Sequence, residues 1–195
     1  MARQRPASEM SDRERLGHLG KPTNAHQVLI KFIQEYGWQR GAEIGVLRGK
    51  TFFAMLDASI DLYLIGVDQW KVLPFREDEC AETYQGFPMD DLMRDVMERA
   101  KAYGERARIL HSGSWFAARF IDDASLDFVF IDGDHTERGL KQDLLAWAPK
   151  VKPKGTILGH DWSWPTVRRV LDRHCPGWQA HDEEVWSIPQ KKVQL

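Results

Sequence analysis

A chain of 195 residues that is 43% hydrophobic and 29% charged has material for one substantial core under an ordinary polar surface. Its formal net charge of -2 gives no grip on nucleic acid or an anionic membrane, and no apolar run reaches membrane-spanning length. The two cysteines, Cys80 and Cys175, fit no metal spacing and read as reduced thiols, which points to a cytoplasmic chain.

The first 23 residues are polar, with no hydrophobic segment behind them, and read as a flexible arm rather than a secretory signal. One domain is expected from residue 24 to residue 195. Asn24 can cap a helix whose apolar face carries Val28, Leu29, Phe32, Ile33 and Tyr36, with Gly37 as its stop. A strand follows at 42–46, then a glycine loop and a helix with Phe52, Phe53 and Leu56. A second strand at 62–68 ends in Asp68. The stretch from Gln69 to Pro88 has no period, and its Phe75, Tyr84 and Phe87 mark it as a candidate lid or substrate wall. An amphipathic helix then runs from Met89 to Tyr103 and closes at Gly104. Strands are expected at 107–111, 126–131 and 155–160, with helices at 136–148 and from Pro165 onward. The tail reads as a closing hairpin.

Strands alternating with helices predict an α/β fold with a doubly wound, mostly parallel sheet. Five strands and an antiparallel C-terminal hairpin make seven. Ligands of such sheets bind beyond the carboxyl ends of the strands, near the switch in strand order, and the strand ends of this chain are chemically rich. The first opens into EIGVLRGKT, where Gly45 and Gly49 allow a tight turn and close approach to a ligand. Asp68 follows Gly45 at about the spacing of a ribose-binding carboxylate. The third ends in Ser112, Gly113, Ser114 and Trp115, small polar residues suited to the edge of a base. The fourth ends in Asp132, Asp134 and His135, and the fifth in His160 and Asp161. Clustered carboxylates repel one another unless a cation or proton offsets them. Asp132, Asp134 and Asp161 offer oxygens to Mg²⁺, or to Mn²⁺ with help from His160. Trp70, Trp115, Trp162 and Trp164 also fall just past strand ends, where indoles can wall a ligand pocket.

These motifs in this order (E-I-G-x-x-x-G, a strand-end Asp, S-G-S, F-I-D-G-D-H-T and G-x-x-x-x-H-D) resemble class I S-adenosylmethionine-dependent methyltransferases. Within them the chain is most similar to the small O-methyltransferase branch that includes metal-assisted sugar methyltransferases. The resemblance covers residues 24–162 and implies a Rossmann-like fold. It implies that Glu43, Gly45 and Gly49 surround the methionine part of the cofactor, that Asp68 with Gln69 meets the ribose, and that Ser112 to Trp115 lie near adenine. It further implies Asp132 beside the cofactor and, with Asp161 and His160, around a divalent metal, Mg²⁺ in the first instance. The chain departs from that branch at Glu137, where Tyr is usual, and at His160, where the sugar enzymes place an acid.

The function so implied is methyl transfer from S-adenosylmethionine to a hydroxyl of a small molecule, with Asp134 or His135 as the base. Two other readings stay open. One is a phosphate-loop phosphotransferase using Lys50, although only three residues separate Gly45 from Gly49 where that loop needs four. The other is a nucleotide-binding module without turnover. The partner expected is a small hydroxylated acceptor, not nucleic acid or membrane, and the residues leave room for a homo-oligomer.

Overall fold

The computed structural model describes residues 24–71 and 88–194. The N-terminal arm, Cys80 and the expected lid residues Phe75, Tyr84 and Phe87 lie outside the described residues. In chain order the elements are α1 (Ala25–Tyr36), β1 (Arg40–Ile44), α2 (Lys50–Ala58), β2 (Tyr63–Asp68), α3 (Met89–Ala100) and β3 (Ala107–His111). They continue as the short α4 (Ser114–Ala117), β4 (Leu126–Ile131), α5 (Glu137–Trp147), β5 (Val151–Gly159), α6 (Pro165–His174), β6 (Gln179–Ala180) and β7 (Trp186–Pro189).

The strands form one seven-stranded sheet in the order β3-β2-β1-β4-β5-β7-β6. The first five pair in parallel, and β7 runs antiparallel to both β5 and β6, which gives the hairpin at the C-terminus. The chain builds outward from β1 to β3, then returns to lay β4 on the other side of β1. The switch in strand order therefore falls between β1 and β4, where the glycine loop and Asp132 emerge.

Strand β4 shows why the sheet is covered on both faces. Phe128 and Phe130 enter one core with Leu29 and Ile33 of α1, Phe52 and Phe53 of α2 and Val96 of α3. Val129 and Ile131 enter the other with Leu144 and Trp147 of α5 and Val167 and Leu171 of α6. A strand buried on both sides needs this unbroken apolar run, and at about 25 cal/mol per Å² of apolar surface the burial is a major stabilising term. Gly41 leaves the space that the Phe128 ring fills, since a Cβ there would lie 2.3 Å from it.

Several boundaries differ from expectation. β1 starts earlier because the Asp127 carboxylate accepts the N–H groups of Gln39 and Arg40 at 2.9 Å each. Asn24 does not cap α1 through its side chain; its own N–H donates to the Glu183 carboxylate at 2.9 Å. α3 ends at Ala100 and a 3₁₀ segment carries the chain to Arg106, with Gly104 at φ 58°. No helix among the described residues is long and apolar enough to cross a membrane.

Candidate active site

The glycine loop leaves β1 at Gly45, whose φ of 94° favours a residue without a side chain. Its position against β4 forbids one as well, since a Cβ would stand 2.1 Å from the Asp132 carbonyl oxygen. Asp68, at the end of β2, holds the loop in place. One of its oxygens accepts the N–H groups of Val46 and Leu47, at 2.9 and 2.8 Å, and the other accepts that of Trp70 at 2.7 Å. The Trp70 indole donates back to the Leu47 carbonyl at 2.8 Å. Leu47 and Trp70 both sit at positive φ, so their strained turns are fixed by this one carboxylate. A carboxylate has about four lone-pair positions and three are taken, which leaves one to face a ligand.

Asn at position 68 has only one acceptor oxygen, so it must abandon at least one of these donors. Asp68→Asn is expected to cost about 1–3 kcal/mol, the penalty for a buried N–H left without a partner. The check is a urea denaturation curve, with the Trp70 environment followed by fluorescence; an unchanged midpoint would rule out the bracing role.

Over this loop opens a cavity of ≈ 290 Å³. Gly45, Asp68, Gln69, Ser112, Ser114, Trp115 and Asp132, all expected around a cofactor, line it together with Asp134. Three other expected cofactor residues do not reach its surface. Gly49 starts α2 at φ 70°, and a Cβ there would press on the Phe53 ring at 2.5 Å, so its role lies in the turn itself. Gly113 precedes α4 without lining the cavity. Glu43 is 2% exposed, and its Oε2 has no hydrogen-bond partner. Burial raises its carboxyl well above the usual range, and the charges of Asp132 and Asp68 add to the rise. This acid is held for a cation or a proton.

The cavity wall also includes residues that the sequence reading passed over. Asp143 of α5 is 5% exposed, and burial pushes its carboxyl up to about 7 although a bond from Ser114 pulls the other way. Ser114 in turn accepts the Trp147 indole N–H at 2.9 Å. A signal was present, because Leu140, Asp143, Leu144 and Trp147 follow helical spacing and an acid on that buried stripe is out of place. Of the four strand-end indoles, Trp70 and Trp115 line the cavity. Trp162 and Trp164 pack against the core and do not line the cavity, although Trp164 also lies against the His135 ring beside it.

Next to the cavity, the ends of β4 and β5 gather charge. His135 Nε2 lies 2.8 Å from Asp161 Oδ2 and 3.4 Å from Asp132 Oδ1. Neither contact is aligned as a hydrogen bond, and this buried nitrogen has no hydrogen-bond partner. His160 Nδ1 stands 3.2 Å from Asp161 Oδ1 and 3.6 Å from Asp132 Oδ1, while its Nε2–H donates to the Glu183 carbonyl at 3.0 Å. Burial opposes a charge on either imidazole. The carboxylates of Asp132 and Asp161 outweigh it, pushing His135 up to about 10 and His160 up to about 9. Burial would raise Asp161, but the two histidines hold it well below the carboxylate range.

Asp132, His135 and Asp161 can each direct one donor atom to a common point, with these atoms within 4.8 Å of one another. His160, the histidine expected in this set, stands outside it with its Nδ1 turned to the Asp161 carboxylate. Thr136 caps α5 by accepting the Gly139 N–H, and Asp134 accepts the N–H of Thr136 at 3.0 Å while lining the cavity.

Known proteins resemble this chain in sequence and in fold. The family described as a methyltransferase domain matches residues 42–162. An uncharacterized protein of Sinorhizobium fredii, y4gI, is 26% identical over 127 residues, covering 63% of this chain and only 13% of its own length. A candidate caffeoyl-CoA O-methyltransferase of Staphylococcus aureus superposes with a TM-score of 0.61 at 15% identity, covering 93% of this chain and 94% of its own. The Podospora anserina methyltransferase PaMTH1, solved with S-adenosylhomocysteine bound, gives 0.60 at 14% identity, with 93% and 82% covered. The N-methyltransferase NodS of Bradyrhizobium japonicum gives 0.53 at 14% identity, with 86% and 95% covered. One fold thus serves acceptors of different elements, and the likeness speaks for the scaffold rather than the atom methylated. Because the family match runs from β1 to the turn after β5, through the glycine loop and both acidic strand ends, this chain belongs to the class I S-adenosylmethionine-dependent methyltransferases.

Proposed function

We propose that the protein methylates a hydroxyl oxygen of a small molecule. The observation that carries this reading is the carboxylate–imidazole rim of Asp132, Asp134, His135 and Asp161 set beside the cofactor cavity. An amine acceptor can attack through its own lone pair, whereas a hydroxyl must lose a proton, and the rim supplies proton acceptors where that loss would occur. S-adenosylmethionine supplies the methyl group, whose bond to sulfur breaks, with its electrons passing to sulfur, as the acceptor oxygen bonds to carbon. The glycine loop and the Asp68 brace hold one reactant in line with the other, and such placement can supply much of the acceleration. Asp134 is the base we favour, because it lines the cavity and Thr136 engages only one of its oxygens in the hydrogen bonds of the site. A divalent cation held by Asp132 and Asp161 would lower the pKa of a bound hydroxyl.

The phosphotransferase reading loses its physical basis here. The Val46 and Leu47 N–H groups that would cradle a phosphate already bond the Asp68 carboxylate, whose charge would repel one. Calorimetric titration with S-adenosylhomocysteine should show binding at one site per chain. Asp134→Asn should keep that affinity within a few-fold. Transfer to hydroxylated acceptors, followed as S-adenosylhomocysteine release, should fall by about 10²–10⁴-fold. No affinity for S-adenosylhomocysteine would overturn the cofactor site. Turnover confined to amines would overturn O-methylation, and binding without turnover on any acceptor class would favour a non-catalytic module.

A further inference from the structure

Beside the cavity stands a nitrogen that methyl transfer alone does not explain. His135 Nε2 is buried, has no aligned hydrogen bond, and faces two carboxylates at 2.8 and 3.4 Å. A nitrogen aimed at two anions in this way needs a positive charge there, which a proton on the imidazole supplies in the metal-free protein and a cation between the three groups would supply in its place. Donor atoms about 2.1 Å from one ion stand about 3.0 Å apart at a right angle and about 3.4 Å apart at the tetrahedral angle. The observed spacings lie close to that range.

We propose that His135 is a nitrogen ligand of a divalent cation shared with Asp132 and Asp161, and that this nitrogen makes the site select a d-block ion such as Mn²⁺ or Co²⁺ over Mg²⁺. This rests on the methyl-transfer reading, and it gives the cation of that site a chemical class. It also moves His135 from candidate base to ligand, which leaves Asp134 alone in the proton-accepting role.

The donor set carries the selectivity. Mg²⁺ is a hard ion that prefers oxygen and sheds water reluctantly, whereas imidazole binds later first-row ions more strongly. Three protein donors also leave positions open for an acceptor oxygen and water. The surroundings fix the donors before any ion arrives. The Trp164 ring packs against the His135 ring, centroids 5.1 Å apart. Asp161 holds a left-handed backbone, φ 59°, a strained conformation that turns its carboxylate between the two imidazoles. His160 stands behind Asp161 with one nitrogen toward each of two acceptors, the Asp161 carboxylate and the Glu183 carbonyl. It therefore orients Asp161 and is a positioning residue. The β6–β7 turn locks that relay, for the Glu184 carboxylate accepts the Ser163 N–H at 3.0 Å and the Trp186 indole donates to the His160 carbonyl at 3.1 Å.

The test uses the full chain stripped of metal by chelation. Calorimetry with Mn²⁺ and Mg²⁺, each alone, should give an affinity about 100-fold higher for Mn²⁺. Pulsed electron paramagnetic resonance of bound Mn²⁺ should show coupling to ¹⁴N, and the visible bands of Co²⁺ should intensify on binding. His135→Gln should abolish the nitrogen coupling and weaken Mn²⁺ by about 10–100-fold, while Mg²⁺ affinity changes by no more than a few-fold. His160→Gln should weaken both ions yet keep the coupling. Equal Mn²⁺ and Mg²⁺ affinities, or absence of ¹⁴N coupling in the unaltered protein, would overturn the assignment without recourse to any variant. S-adenosylhomocysteine binding is measured on the same sample. Cofactor affinity without nitrogen coupling would sink the cation assignment and leave methyl transfer standing, whereas nitrogen coupling without cofactor affinity would do the reverse.

Discussion

Gly45→Ala is expected to destabilise the protein by about 3–5 kcal/mol and to weaken S-adenosylhomocysteine binding by more than about 100-fold. Two costs add at this position. An alanine at φ 94° bears the strain of a region that side chains avoid, about 1–3 kcal/mol. Its methyl would also lie 2.1 Å from the Asp132 carbonyl oxygen and 2.9 Å from the Gly133 Cα, all backbone atoms that no side-chain rotation can clear. β1 and β4 would have to part at the switch in strand order, where the cavity begins. At about 2–4 °C per kcal/mol for a chain of this size, the melting temperature should drop by about 6–20 °C. Gly37→Ala supplies the control. It shares the positive φ, at 62°, but nothing lies within 4 Å of a Cβ there, so it bears strain alone. Calorimetry and melting curves of the two variants separate strain from collision. A Gly45→Ala protein as mild as Gly37→Ala would mean that the tight approach of the loop to β4 is not needed.

The fold was legible because its central strands, β1 and β4 above all, are buried on both faces. The apolar run that becomes β4 is bounded by turn residues at each end and its expected limits coincide with the observed ones, as do those of the edge strand β3, which is only partly buried. β1 and β5 shift because hydrogen bonds, which leave no periodic trace, decide their ends. Asp127 draws Gln39 and Arg40 into line with the sheet, and β5 starts at Val151 through a register shift opposite Leu126 and Phe128. Pro153 and Lys154 in that stretch would have argued against a strand on composition alone.

The site was legible as a set of strand ends and illegible in its directions. Gly45, Asp68, Ser114, Asp132 and Asp134 line one cavity, as parallel topology requires of residues at the carboxyl ends of neighbouring strands. Spacing placed Asp68 on a ribose, yet its oxygens mostly hold the loop that begins 23 residues earlier, a tertiary choice that no local pattern encodes. Which histidine joins the two aspartates depends on the left-handed turn at Asp161, and that turn depends in part on the β6–β7 hairpin reached some twenty residues later. Trp162 and Trp164 follow the same turn and pack against the core instead of lining the cavity, with Trp164 against the His135 ring.

In the metal-free protein, stability should fall as the pH rises from about 6.5 to 9.5, by about 3 kcal/mol. The sign follows from the imidazoles. His135 is raised to about 10 and His160 to about 9, from an unfolded value near 6.5. Below pH 6.5 both states are protonated and the attraction to Asp132 and Asp161 is fully present. Above it the unfolded chain releases its protons first, and the advantage drains away as the pH climbs through the folded values. Asp161 works at the other end: its carboxyl is depressed, so its contribution is present above about pH 4 and disappears as the pH falls further. The same contacts stabilise both partners and count once. Asp143 is raised to about 7 and also lowers stability with rising pH, but its effect is complete soon after neutrality. Glu43, raised well above the carboxylate range, and Cys175, pushed up to about 12, add slopes of the same sign, so the imidazole share is read as the difference between the unaltered protein and a variant that lacks the imidazoles' partner. Urea midpoints across that window should fall in the unaltered protein and flatten in Asp161→Asn, which removes the charge the two histidines share; equal slopes would show that the ion pairs contribute nothing to folding. Adding Mn²⁺ should reverse the trend. A ligating imidazole must be unprotonated, so the cation competes with the proton and binds more tightly as the pH rises. The carboxylates that hold the proton at neutral pH would then hold the metal, with His135 turned from their partner into their fellow ligand.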